Sequence, residues 1–521
     1  MELQRLLVCR LAPRVRGCQL SETSDPQPNT GEAGGLGWRF WALVPPVGIG
    51  AGLAAAALML LLRAIEALAW GEATGDFLDR VRAAAPEHRL LILLGAGLVA
   101  AGMRWLLSLR PGGHGGELAE VIWFRAGRLP AWRTLAKAVT SIVIVAMGAS
   151  LGREAAPKQV GALWAWLLSH WTGLPAPQRR LLSACGAGAG IAAVYNVPIG
   201  GALFALEVLL GTISLPLVAP ALLTTGLATC TTWLFLPSQP TYHLVVPDIS
   251  PALLGFALLV GPLMGLAAAA YLRLIAWADQ RKPQGTLGLL APVLVFAALG
   301  LLALRLPELL GNGKSEVQAI FTGTLPLWSM LALALLKPLT TAACLGSGAP
   351  GGLFTPTITL GAALSGVLER GWQWLLSSTS GGGTGAVLGA GALLAAATAG
   401  PVSALVLTLE LTGQIGGLVA PLALAVGGAM LTIRRLETRS VYSCRIHLAR
   451  AVAEQGSGPS LSTADRYTRV LQVLLLDPIT PVPVRDEHGV IVGTVDGRDI
   501  AARAGRLCPL PITTARDLSR G

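Results

Sequence analysis

The sequence predicts an all-α membrane protein of many spans, built as an inverted repeat of interrupted helices and ending in a small α/β tail. Three observations carry this reading. Of 521 residues, 53% are hydrophobic and only 13% charged, with 64 glycines, and apolar runs reach the roughly 20 residues that a helix needs to cross a bilayer. A pattern of small residues recurs two hundred positions further on, the mark of an internal duplication. Between Leu181 and Leu272 there is no Lys or Arg at all, although this stretch includes the polar connection LPSQPTYHLVVPDIS. The composition excludes a soluble fold.

In chain order, residues 1–37 carry Arg5, Arg10, Arg14 and Arg16 and then turn Ser/Pro/Gly-rich. The arginines interrupt what would be the apolar region of a signal peptide, so the segment reads as a disordered cytoplasmic tail. Spans are expected at about 41–65 and 90–109, separated by a charged amphipathic segment with Glu72, Asp76, Asp79 and Arg80. In PGGHGGELAEVIW (111–123) glycines precede an acidic residue and a helical pattern. Such a stretch can present backbone amides to an anion at a helix start, but on these residues alone a solvent-exposed turn is preferred. Lys137, a lone charge in TLAKAVTSIVIVAMG, must snorkel or find an internal partner.

The chain is organised around GASLGREAAPKQVGALW (148–164), where Gly152, Arg153, Glu154 and Pro157 break an apolar run just before a helical pattern. An ionisable residue at bilayer depth costs roughly 2.5 to 3.5 kcal/mol on insertion scales, which makes Glu154 a functional candidate. In the second copy, GSGAPGGLFTPTITLGAAL, Gly348, Gly352, Gly361 and Ala362 match Gly148, Gly152, Gly161 and Ala162, and Phe354 stands opposite Glu154. Residues 186–207 laid on 389–410 match at four Gly/Ala positions in a row, at Pro198 and at Glu207. Small residues alone recur in membrane helices because they let backbones approach; the shared proline and glutamate favour a true repeat.

By the positive-inside rule the connection 236–250 faces away from the cytoplasm and the arginine-bearing tails face it, so each half (38–215 and 250–433) crosses an odd number of times and the copies are inverted. Inverted repeats with a site between interrupted helices are common in transporters and related channels. Further spans are expected near 287–306, 327–345, 353–376, 386–411 and 416–433. ELLGNGKS (308–315) lacks the first glycine of a phosphate loop and the strand before it, so it reads as a loop. After Arg434, Arg435 and Arg439 comes SVYSCRIHLARAVAEQ, then a Gly/Ser linker, then PVPVRDEHGVIVGTVDGRDIAARA, which reads as strand, turn, strand, helix.

These motifs resemble those of the CLC family of chloride channels and anion/proton antiporters: GREAAPKQVG their Gly-Arg/Lys-Glu-Gly-Pro motif, GGLFTP their Gly-x-Phe-x-Pro motif, and GAGAGIAAVYNVPIGGALFALE their most recognisable segment. The resemblance covers about 38–450 and implies a homodimer with one anion pathway per subunit, in the bacterial inner (plasma) membrane with both termini cytoplasmic. It implies that Glu154 is the gating glutamate, that amides around Gly152, Arg153, Leu353 and Phe354 face the anion, and that the Tyr442 hydroxyl closes the pathway from inside. The family's Gly-Ser-Gly-x-Pro motif aligns with GHGGE, so His114 replaces a serine that helps set anion preference. Ala155 and Ala156 stand where Gly-Pro is usual, with Lys158 unusually close to the gate. At the position of the internal proton-relay glutamate the chain has Val208, so the resemblance implies no relay group there. Residues 464–521 resemble a single CBS module; such modules work in pairs and can bind adenine nucleotides, and a small structural cap is an equal alternative.

The expected function is gated, channel-like chloride conduction, with proton-coupled chloride exchange as the alternative. Chloride, membrane lipid and a second copy of the chain are the expected partners, without nucleic acid, metal or cofactor. The seven cysteines have neither CxxC spacing nor an even count. An intramembrane enzyme using Ser347 is the remote alternative, since the six histidines form no HExxH pair and none is placed as a base for it.

Overall fold

A computed structural model of the chain describes residues 36–71, 75–109, 118–124, 127–244, 250–376, 383–414, 416–436 and 438, with three short strands beyond them. The tail 1–35, His114 and Tyr442 lie outside the described residues. The first half contains α1 (Trp38–Trp70), α2 (Phe77–Ala83), α3 (Pro86–Leu109), α4 (Leu118–Phe124), α5 (Ala131–Ala146), α6 (Ala155–Trp171), α7 (Ala176–Tyr195), α8 (Pro198–Leu203), a π-helical turn (Phe204–Leu209) and α9 (Leu215–Thr232). The second half contains α10 (Pro251–Gln280), α11 (Gly285–Ala303), α12 (Lys314–Phe321), α13 (Leu327–Gly346), α14 (Phe354–Leu376), α15 (Thr384–Thr398), α16 (Pro401–Thr412) and α17 (Val419–Arg435). Six of these, α1, α3, α9, α10, α11 and α13, are long and apolar enough to cross a membrane, making this a multi-pass membrane protein.

The duplication is written into the backbone. Asn196 (φ 58°) and Ala399 (φ 56°) are the two non-glycine residues with positive φ among the described residues, a conformation that L side chains seldom adopt. Each ends a helix two residues before a proline, Pro198 or Pro401, that starts the next. Proline cannot continue a helix but suits its first position. The single span expected over 386–411 is therefore corrected to two helices, α15 and α16, mirroring α7 and α8. Both breaks are fastened by carboxylates from the opposite half. Glu207 accepts from the Val402 and Ser403 amides at 3.1 and 2.6 Å, and Glu410 accepts from Ile199 and Gly200 at 3.0 and 2.6 Å. An acid at a helix start satisfies amides that lack intrahelical partners.

The core of each half is a pair of helices crossing at small residues. On α6 and α7 a Cβ at Gly161 would strike the Gly186 carbonyl oxygen, and on α14 and α15 one at Gly361 would strike that of Gly389. All fifteen residues of α15 are buried, as is the run Leu181–Ala193 on α7, so both helices are apolar all round and enclosed by others. Lys337, two hundred positions after Lys137, is fully buried on α13 and donates to the carbonyls of Leu309 and Gly311 at 3.1 and 2.9 Å. Those carbonyls belong to the Gly-rich 308–315 segment, where the expected loop is confined to 310–313, between a 3-10 turn (Pro307–Leu309) and the start of α12, and packs on the first half: the Gly311 amide donates to the Gly148 carbonyl at 2.9 Å. In the tail, Val482–Arg485 pairs antiparallel with Ile491–Val495, matching the two expected strands, and Leu461–Ser462 pairs parallel with the former; the turn expected between the two lies outside the described residues. The helix expected after them lies outside the described residues.

Candidate functional site

Where the halves meet, Gly152 and Gly352 form an isolated antiparallel bridge. The Gly152 amide donates to the Gly352 carbonyl at 2.7 Å, and the reverse bond is 2.8 Å. Two equivalent residues exchanging two equivalent bonds lie on the axis that relates the repeats. The Gly152 amide is thereby committed to this bridge. Glycine is needed at both positions, since a Cβ on either would collide with the Glu154 carboxylate.

Glu154 sits just before α6 without capping it. Its side chain crosses to the other half instead, where Oε1 accepts the Phe354 amide at 2.6 Å. Phe354 is the first residue of α14, and the first turn of a helix carries partial positive charge on unpaired N–H groups. Around Oε2 lie the hydroxyls of Thr355 at 3.3 Å and Tyr195 at 3.4 Å, themselves 2.7 Å apart. The carboxylate is fully buried and makes no ion pair among the described residues. A small anion would satisfy the same amide and hydroxyl donors, and such partial-charge sites hold an anion without trapping it.

The remaining expected residues are distributed as follows. Leu353 is buried beside Phe354 and accepts from the Thr357 amide. Arg153 makes no ion pair with the carboxylate; its guanidinium lies 5.3 Å from the centre of the Tyr195 ring and hydrogen-bonds the Tyr195 hydroxyl. It reaches a cavity of about 550 Å³ whose lining includes Arg63, Arg80 and Lys314 along with Glu66, Asp76 and the connection residues Gln239, Thr241 and His243. Four cationic side chains against two carboxylates give this antechamber a field that draws anions toward Tyr195. Burial, joined by the Arg153 charge, pulls the Lys314 ammonium down to about 8. Lys158 lies one turn along α6, with its ammonium 5.5 Å from the centre of the Phe204 ring. Val208 lies on the π-helical turn, half-buried. The Ser347 hydroxyl donates to the Cys344 carbonyl at 2.7 Å in the last turn of its own helix.

Sequence reasoning did not find Tyr195, Thr355 or the cationic cavity. Tyr195 stands inside the most recognisable segment, immediately before the left-handed Asn196, and its polar atom in an otherwise Gly/Ala-rich helix was the available signal.

An inverted repeat whose halves exchange a backbone bridge, with an acid of one half held at a helix start of the other, defines a class of helical membrane proteins that handle small anions. The chain belongs to the family described as voltage gated chloride channel, the CLC family, whose profile matches residues 96–434. It is 33% identical over 424 residues to a ClcB-like chloride channel protein of Ralstonia nicotianae, covering 77% of this chain and 95% of the relative. Among solved structures its fold is similar to that of a slow cyanobacterial Cl−/H+ antiporter, with a TM-score of 0.70 and 22% identity over 80% of this chain and 99% of that one. It is also similar to a CLC-type fluoride/proton antiporter, with a TM-score of 0.64 and 21% identity over 78% and 97%.

Proposed function

We propose that the chain exchanges chloride for protons, with Glu154 serving both as the gate of the anion pathway and as the group that carries the proton. The observation that carries this is the Glu154 carboxylate seated on the Phe354 amide. While ionised it is an anion that competes with chloride for the same donors. Protonation removes the charge that holds it there, and chloride takes its place. Each replacement of the ionised side chain by chloride then brings a proton into the site, which gives coupling a stoichiometric basis. In this reading Phe354 and Leu353 line the outer anion position, Arg153 supplies the cavity beside it with positive charge, and Gly152 contributes through the bridge. His114 and Tyr442 keep the roles that the family resemblance gives them, anion preference and inner closure. The cavity opens on the side of the 236–250 connection, away from the cytoplasm, and two copies of the chain work side by side with a pathway each.

Exchange is preferred over passive conduction because two solved proteins with this fold, the slow cyanobacterial Cl−/H+ antiporter and the fluoride/proton antiporter, are proton-coupled antiporters. One observation favours the second reading: Val208 at the usual relay position cannot carry a proton, and the neighbouring Glu207 carboxylate is occupied in capping α16.

Purified protein in liposomes separates the two. Under exchange, an imposed chloride gradient drives protons uphill and Glu154→Gln abolishes this movement while leaving chloride flux. Chloride flux with a flat pH trace in the unaltered protein rejects exchange and leaves gated conduction.

A further inference from the structure

Tyr195 and Thr355 come from opposite halves of the chain, on α7 and α14, and both are buried. Their hydroxyl oxygens are 2.7 Å apart, and each is 3.3 to 3.4 Å from the same oxygen of Glu154. Three oxygens thus close a triangle that contains only two hydroxyl protons. One proton must lie in the short Tyr195–Thr355 bond, and the other is free to point at Oε2. Whichever hydroxyl donates to its neighbour, the other donates to the carboxylate, and the first polarises that bond.

We propose that this hydroxyl pair is a shared latch that sets the pH at which Glu154 leaves the anion pathway, Tyr195 and Thr355 being positioning residues for the gate. Both hydroxyls can donate to the ionised carboxylate, and a donor that favours the charged form lowers the pH at which it protonates. The pair therefore keeps the pathway closed to more acidic pH than the Phe354 amide alone would. Because only one proton reaches Oε2 at a time, either hydroxyl can serve without the other. The inference rests on the gating role of Glu154 and adds to it which side chains tune that gate.

Other charged and titratable groups surround the site. Arg153 stacks on Tyr195 and hydrogen-bonds its hydroxyl, Tyr242 lies within electrostatic reach of Tyr195 and Glu154 and also of Glu316, and Lys158 follows one turn along α6. None of them is itself substituted in the variants below; Arg153 loses its hydrogen bond to the Tyr195 hydroxyl equally in Tyr195→Phe and in both double variants, so that loss cancels among these three.

The test is the pH profile of chloride efflux from liposomes containing the full chain, at equal pH on both sides. Tyr195→Phe and Thr355→Val each keep the shape of the site and leave one donor, so each moves the midpoint upward by no more than about 0.3 unit, the loss of mutual polarisation. The double variant leaves no donor to Oε2 and moves it upward by about 1 unit, more than the two single shifts together. Tyr195→Phe with Thr355→Ser restores the hydroxyl and returns the midpoint to that of Tyr195→Phe alone. A double variant with the unaltered midpoint overturns the latch, as do two large single shifts that simply add. Glu154→Gln separates this from failure of the gate. If that variant keeps the full pH profile, the gate reading falls and the latch with it; if it flattens the profile while the double variant shifts nothing, only the latch falls. Thermal unfolding of each variant in detergent identifies any that fail to fold, and Thr355→Ala then replaces Thr355→Val.

Discussion

The Glu154 carboxylate accepts its shortest hydrogen bond, 2.6 Å, from the amide of Phe354, the residue that occupies its own position in the second repeat. The duplicated frame brings the two together because the glycines two residues earlier, Gly152 and Gly352, are bridged to each other. The acid and its binding amide are thus one position, read once in each half.

Gly352→Ala tests that geometry. The new Cβ would fall on Glu154 Oε1, so the carboxylate is displaced from the Phe354 amide and chloride efflux at neutral pH rises. The same substitution in a Glu154→Ala background changes efflux little, because the displaced group is already gone. Chloride efflux from liposomes with all three variants reads this directly.

The reciprocal caps give a stability prediction. Glu207→Gln and Glu410→Gln each weaken a charged cap on a helix start of the opposite half, and each lowers stability by about 1 kcal/mol, within the usual range for helix N-caps. Denaturant unfolding in detergent should show losses of similar size for the two, since the contacts are equivalent.

Lys314 supplies a pH effect separate from the gate. With its ammonium held down to about 8, it is charged below that pH and neutral above it, so the cavity loses a positive charge as pH rises from 7 to 9. In the Glu154→Gln background chloride uptake at low ionic strength falls across that interval, and Lys314→Met removes the fall. High salt flattens it as well, as screening requires.

Helix crossings predict intolerance to small additions. Gly161→Ala and Gly361→Ala each place a methyl on a carbonyl of the neighbouring helix and destabilise by about 1 to 3 kcal/mol, the usual cost of overpacking. Yield of folded protein and its melting temperature in detergent measure this, with Gly226→Ala, where a Cβ meets nothing within 4 Å, as the control.

Much of this was legible in the sequence because membrane helices and duplication leave strong marks. The glycine register alone sets Glu154 opposite Phe354, and Glu207 and Glu410 stand out as matched acids. Their purpose does not, since a carboxylate that caps a distant helix leaves no local spacing to read. The break at Ala399 is masked by an alanine-rich run, alanine being the best helix former, and only the Gly400-Pro401 pair marks the turn. Tyr195 and Thr355 went unnoticed because their partnership spans 160 residues and belongs to neither motif alone.

The bridge at Gly152 and Gly352 makes the backbone nearly indifferent to which way round the molecule sits, while the acid exists on one side of it only. Any difference between the two directions of ion movement then originates in side chains, those at position 154 and those of the cationic cavity on one side of it, and not in the bridge itself. Substitutions in these two places are the ones expected to alter that difference, while the glycine bridge can stay as it is.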